Sequence, residues 1–139
     1  IDETLVEKGF ITADKMLKEK TEVERVLPLT TRFGENIGRV VIRGDNAIII
    51  LREDLRISSD SRTVRGFLEK KVFGGMMRRD VELIKRGELE AEKAFQYRIE
   101  EDDAGMIRRI HLRNFRDDAR MKRIIRAIGW VVEREISKS

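Results

Sequence analysis

The sequence predicts an α+β fold in a single domain, residues 1–139: one antiparallel sheet of about five strands with helices packed on it, in the order α-βββ-αα-ββ-α. Three observations carry that prediction. Apolar spacing switches repeatedly between the 3.6-residue period of helices and the two-residue period of strands. Two stretches have the turn-and-return pattern of hairpins. The chain closes on a long amphipathic helical pattern.

The elements follow in order. Leu5, Val6, Phe10, Ala13, Met16 and Leu17 recur at helical spacing and predict a first helix over residues 1–20, weakened in the middle by Gly9. From Glu24 the period becomes two, with Leu27, Leu29, Thr31 and Phe33 on one strand face. Pro28 cannot donate to a sheet ladder, so this strand is expected at an edge. Val40–Ile42 and Ile48–Leu51 are β-branched or aliphatic runs around Gly44-Asp45-Asn46, a tight hairpin. Both faces of these strands are apolar, which places them centrally with cover on both sides.

Ser58, Ser59, Asp60 and Ser61 then offer helix caps. The helix after them is expected to bury Val64, Phe67, Leu68 and Val72, with a second stripe of Met77, Val81 and Ile84 beyond Gly74-Gly75. These are two consecutive helices or one kinked at the glycines. From Leu89 alternation resumes through Ala91, Phe95, Tyr97 and Ile99, predicting a long half-exposed strand, with an extension of the helix over Glu88 to Lys93 as the alternative. Asp102-Asp103-Ala104-Gly105 turns the chain, and Met106 to Phe115 returns as the hairpin partner. Asp117 or Asp118 caps a last helix running to about Ser137.

Composition narrows the function. Twenty arginines stand against one histidine, one tyrosine and no cysteine. Arginine is a permanently charged fork of donors, suited to clamping anions and poor at moving protons. Without cysteine there is no disulfide framework or thiolate chemistry, which fits a cytoplasmic, intracellular protein. One glutamine and three asparagines among so many charges read as a heat-adapted composition. No apolar run reaches the roughly 18 residues of a membrane span, so no membrane partner is expected. The net charge of +4 is unevenly spread. Residues 1–24 carry −3 and residues 82–103 carry −4, whereas residues 104–139 carry +6. Such a basic quarter attracts a polyanion or pairs with the chain's own acidic segments.

On the last helix, 100° steps place Met121, Ile124, Ile125, Ile128, Val131, Val132 and Ile136 on one face. Arg116, Arg120, Arg123 and Arg134 fall opposite, with Trp130 beside them. Arginine forks next to an indole can grip phosphates and stack a base, as single-stranded nucleic-acid sites do. The competing structural reading is a solvated face of an ordinary amphipathic helix, or a protein interface anchored by Trp and Arg. The adjacent strand adds Arg109, His111 and Arg113 on one face. They extend the basic surface or form a cross-strand ladder with Glu88, Glu90, Glu92, Arg98 and Glu100, the ladder being slightly favoured.

No cofactor, catalytic group or metal site is expected. With one histidine and no cysteine, zinc of the usual nitrogen–sulfur type is excluded. Glu100-Glu101-Asp102-Asp103 lacks the ligand spacing of a calcium loop and reads as a solvated turn. Neither Gly74-Gly75 nor Gly34 with Gly38 makes a phosphate loop. The sequence thus points to a nucleic-acid-binding protein acting through its C-terminal helix. A homodimeric or other assembly module, with Met76 and Met77 as contacts, stands close behind. An enzyme or binder of a small anion is third.

Overall fold

The computed structural model describes residues 24–137, so the helix expected over residues 1–20 lies outside the described residues. Three strands come first: β1 (Arg25–Thr30), β2 (Asn36–Arg43) and β3 (Asn46–Leu51). Two helical segments follow, α1 (Thr63–Phe73) and α2 (Gly74–Lys85). Then come β4 (Gln96–Glu101), β5 (Ile107–Arg113) and α3 (Asp118–Ser137). All five strands form one antiparallel sheet in the order β1-β2-β3-β5-β4, which establishes the α+β class.

Both expected hairpins are present. The β2–β3 ladder closes at Arg43 opposite Asn46, and β4 runs beside β5 with Ile99 opposite Ile110. β1 is an edge strand, where Pro28 costs no interior hydrogen bond. One sheet face is the core. Leu29, Val40, Ile42, Ala47, Ile49, Leu51, Ile110 and Leu112 are buried with Val64, Leu68, Val72 and Phe73 of α1. Met121, Ile124, Ile128, Val131 and Val132 of α3 complete it. Each such side chain removed from water contributes roughly 1.5–3 kcal/mol before chain entropy is charged against it.

The alternate residues Val41, Ile48 and Ile50 are only half-buried, and Val26 beside them is 57% exposed. Among the described residues the central hairpin is therefore covered on one side, not two.

The helices depart from the simple periodic pattern in an informative way. α1 is wound as a π-helix, and the Gly74 N–H that ends it still reaches back five residues to Glu69 O. Wider winding turns less per residue than an α-helix does. Buried positions consequently recur at Val64, Leu68, Val72, Met76 and Asp80, every fourth residue across the junction. Met77 and Val81, expected to face inwards, are exposed, and Met76 and Asp80 take their place. The chain runs on through Gly74-Gly75 as one helical path whose winding changes there.

Ser61 Oγ accepts the Val64 N–H at 3.0 Å, so the serine cap is realised. The strand expected from Leu89 starts later, at Gln96. Ala91–Lys93 form a short 3₁₀ turn, and Asn114 Nδ2 donates to Glu92 O and Ala94 O at 3.0 and 2.9 Å. Those carbonyls are thereby used outside any ladder.

Asp117 caps α3, its Oδ1 accepting the Arg120 N–H at 2.8 Å. Between β5 and that cap, Asn114 and Arg116 have positive φ of 59° and 81°, conformations uncommon outside glycine. They bend the chain sharply from sheet into helix.

A candidate anion-binding groove

α1 and α2 run antiparallel to α3: Phe67 lies against Trp130 near one end, and Asp80 meets Arg116 and Arg120 at the other. The second end is built on a buried charge. Asp80 is 0% exposed. Its Oδ2 accepts the Phe95 N–H at 2.7 Å and Arg120 Nη1 at 3.2 Å. Its Oδ1 accepts Arg120 Nη2 at 3.1 Å and also a bond from Arg116 Nη2. Burial opposes the carboxylate, but the bonds from Arg120 and Phe95 and both guanidinium charges outweigh it, holding the carboxyl below its ordinary value. The bent segment before α3 carries Arg116 onto this carboxylate.

Arg120 is accordingly not a solvent-facing grip. Its side chain is 10% exposed, with the guanidinium 5.9 Å from the Phe95 ring centroid. The Arg116 side chain is 32% exposed. Above this pair opens a cavity of about 530 Å³ lined by Lys71, Arg79, Arg116, Arg120 and Arg123. Val72, Gly75, Met76, Asp117 and Ala119 complete its walls. Lys71, Arg79 and Arg123 make no ion pair with another described residue. Five cations against Asp117 and the underlying Asp80 leave a net positive hollow, suited to an anion.

Trp130 sits about 15 Å along α3 from Arg120, ten residues at the helical rise. It is 39% exposed, its ring 4.6 Å from Phe67 and tilted by 56°. Arg134 lies 5.5 Å from the Trp130 ring centroid. The expected residues therefore fall into three groups. Arg116, Arg120 and Arg123 share the cavity, whereas Trp130 and Arg134 pair further along the same helix. Arg109 and Arg113 alternate with the buried Ile110 and Leu112, so they lie on the opposite sheet face and do not continue the helix surface.

Of the expected ladder, the register sets Glu100 opposite Arg109 and Arg98 opposite His111, and among the described residues the bonded contact is diagonal: His111 Nε2 lies 2.9 Å from Glu100 Oε1, which lowers the Glu100 carboxyl, with Arg109 adding to it. Glu88, Glu90 and Glu92 precede the strand. Sequence reasoning missed Lys71, Arg79 and Asp80. The π-winding hides them, because a uniform helical wheel turns Asp80 out of the buried stripe.

Asp102 Oδ1 accepts the Ala104 and Met106 N–H groups within its turn. Tyr97 donates to Glu69 Oε1 at 2.8 Å, and burial first, then that carboxylate, pushes its hydroxyl up to about 12. Among the described residues no group of three or more His, Asp or Glu is placed to hold a metal ion. No helix there is long and apolar enough to cross a membrane. No family model matches the chain, and comparisons with curated proteins and solved structures return no match.

Proposed function

We propose that the chain binds a polyanion, single-stranded nucleic acid first among them, along the groove between α1–α2 and α3. The observation that supports this reading is the convergence of Lys71, Arg79, Arg116, Arg120 and Arg123 on one cavity. Arg116, a third exposed and held in place by Asp80, reaches an incoming phosphate without losing side-chain freedom at that moment, while the buried Arg120 adds its charge beneath it. Arg123, Arg79 and Lys71 supply charge not already paired within the described residues. Trp130, half open at the far end, offers a ring face for a base.

The test is a titration of Trp130 emission with a mixed pool of single-stranded RNA and DNA at low and moderate salt. Phosphate binding predicts saturable quenching whose affinity falls steeply as salt rises. Arg123→Glu and Arg79→Glu each weaken it across all sequences and lower the salt slope by about 1 or more, without changing the melting temperature appreciably. Quenching that ignores salt, or that survives both substitutions, overturns the reading. Retention of an acidic protein in place of nucleic acid by the same residues reassigns the groove to protein recognition.

A further inference from the structure

The two outer edges of the sheet are unequal. A free edge is a row of backbone donors and acceptors with which a further strand can pair. At the tight β2–β3 turn Arg43 and Asn46 exchange both bonds, and antiparallel alternation carries that pattern across the ladders. It turns the backbone groups of Val26 and Pro28 outwards on β1, and those of Phe95, Tyr97 and Ile99 outwards at β4. β1 is blunted there: Pro28 supplies no donor, the ladder shifts register at Leu29 and Thr30, and α3 closes on Thr30 O at Gly129. Asp80 Oδ2 takes the Phe95 N–H, so the open part of the other edge begins at Tyr97. β4 has no proline, and among the described residues no segment pairs with its outer side.

We infer that β4 pairs antiparallel with β4 of a second copy about a twofold axis at Ile99, joining the two sheets. Charge selects that register. Centred on Arg98, Glu100 or Glu101, the pairing sets like charges directly opposite. Centred on Tyr97, it sets Ile99 against Phe95, whose N–H is already taken. Centred on Ile99, it sets Arg98 of each copy opposite Glu100 of the other, twice over. Both side chains alternate with the core-packed Tyr97 and Ile99 and so lie on the open face. Arg98 is exposed and makes no ion pair with another described residue. Glu100 bonds His111 through Oε1, which leaves Oε2 to face the second copy's guanidinium.

Behind these pairs, on β5, Arg109 stands opposite Glu100, His111 opposite Arg98 and Arg113 opposite Gln96. On the core side Ile99 meets Ile99 of the second copy, and Tyr97 meets its Glu101. The Tyr97 hydroxyl and the Glu101 carboxylate are already bonded to Glu69 and Ser59. Asp102, beyond the strand, is held by its turn amides and faces Arg108. At the joint itself Arg98 and Arg109 balance Glu100 and Glu101, so the edges meet without net repulsion.

Sedimentation equilibrium on the full chain tests this. The parent is expected to be dimeric at about 100 μM. Arg98→Glu alone and Glu100→Arg alone each oppose like charges twice and weaken the dimer by about tenfold or more. An equimolar mixture of the two variants opposes unlike charges again and restores the dimer, as does Arg98→Glu combined with Glu100→Arg in one chain. Circular dichroism melts follow the fold of each variant. Rescue by either route supports the inference. A parent monomeric at that concentration, a dimer that survives either single substitution, or failure of both rescues overturns it.

Discussion

Asp80 decides the chemistry of the groove at the scale of a single residue. A buried carboxylate that loses its guanidinium partners, or guanidinium groups that lose their carboxylate, cost several kcal/mol because an unpaired charge stays in a low-dielectric site. Asp80→Ala leaves Arg120 buried without its counter-ion, so it is expected to destabilise by about 3–5 kcal/mol in urea unfolding. Arg123→Ala, on the open side of the same cavity, stays within about 0.5 kcal/mol of the parent. The pH response follows from the direction of the Asp80 shift. Its carboxyl is lowered on folding, so its contribution is full above the ordinary aspartate value of 3.8 and is lost as pH falls through the folded value. Asp80→Asn flattens that acid limb in melting temperature measured against pH. An unchanged acid limb would show that other carboxylates carry it.

Glycine sites separate close approach from helix propensity at the scale of elements. A Cβ on Gly129 of α3 would lie 3.0 Å from Thr30 O at the end of β1. Alanine there gains about 1 kcal/mol of helix propensity but forces strand and helix apart, an overpacking that costs about 1–3 kcal/mol. A net loss of stability is therefore expected for Gly129→Ala in thermal melts. Gly66 of α1 has nothing within 4 Å of an added Cβ, so Gly66→Ala is expected to stabilise by up to about 1 kcal/mol. Equal effects at the two sites would mean that α3 does not close against β1 as described. The same element scale explains why Met76 and Asp80 face inwards: eleven residues of π-winding slip the phase before α2 begins.

Across the whole molecule, the sheet separates two basic surfaces that the linear sequence runs together. Arg109 and Arg113 lie on one side of it, and the groove cations lie on the other, across a layer of buried side chains. Surface charges separated by more than about 10 Å are largely screened at moderate salt. Arg109→Glu with Arg113→Glu is thus expected to leave the nucleic-acid affinity of the groove within about twofold, measured by the same Trp130 titration. A loss comparable to that from Arg123→Glu would place the ligand on the sheet face instead.

Local sequence by itself determined the parts whose physics is local. The β2–β3 and β4–β5 hairpins, the edge position of β1 and most of the buried face of α3 follow from spacing and turn chemistry within a few residues; Ile136, expected on that face, is exposed, and the choice of Ser61 and Asp117 among neighbouring cap candidates came only with the structure. The residues Arg120, Arg123 and Trp130 were legible as a basic, aromatic helix face, because 100° periodicity is a property of the segment alone; Arg116, expected on the same face, instead precedes α3 with a positive φ and is no part of the helix. Only tertiary structure decided what those residues do. Asp80 lies 36 and 40 positions from Arg116 and Arg120, and it reaches them because π-winding turns it inwards and positive-φ residues bend α3 back over α2. The start of β4 was equally out of reach, since Asp80 and Asn114 claim the Phe95 N–H and the Glu92 and Ala94 carbonyls across the fold. Periodicity reports which face a segment would bury. The partner that a charged group meets depends on how distant segments pack, and that is a property of the folded chain.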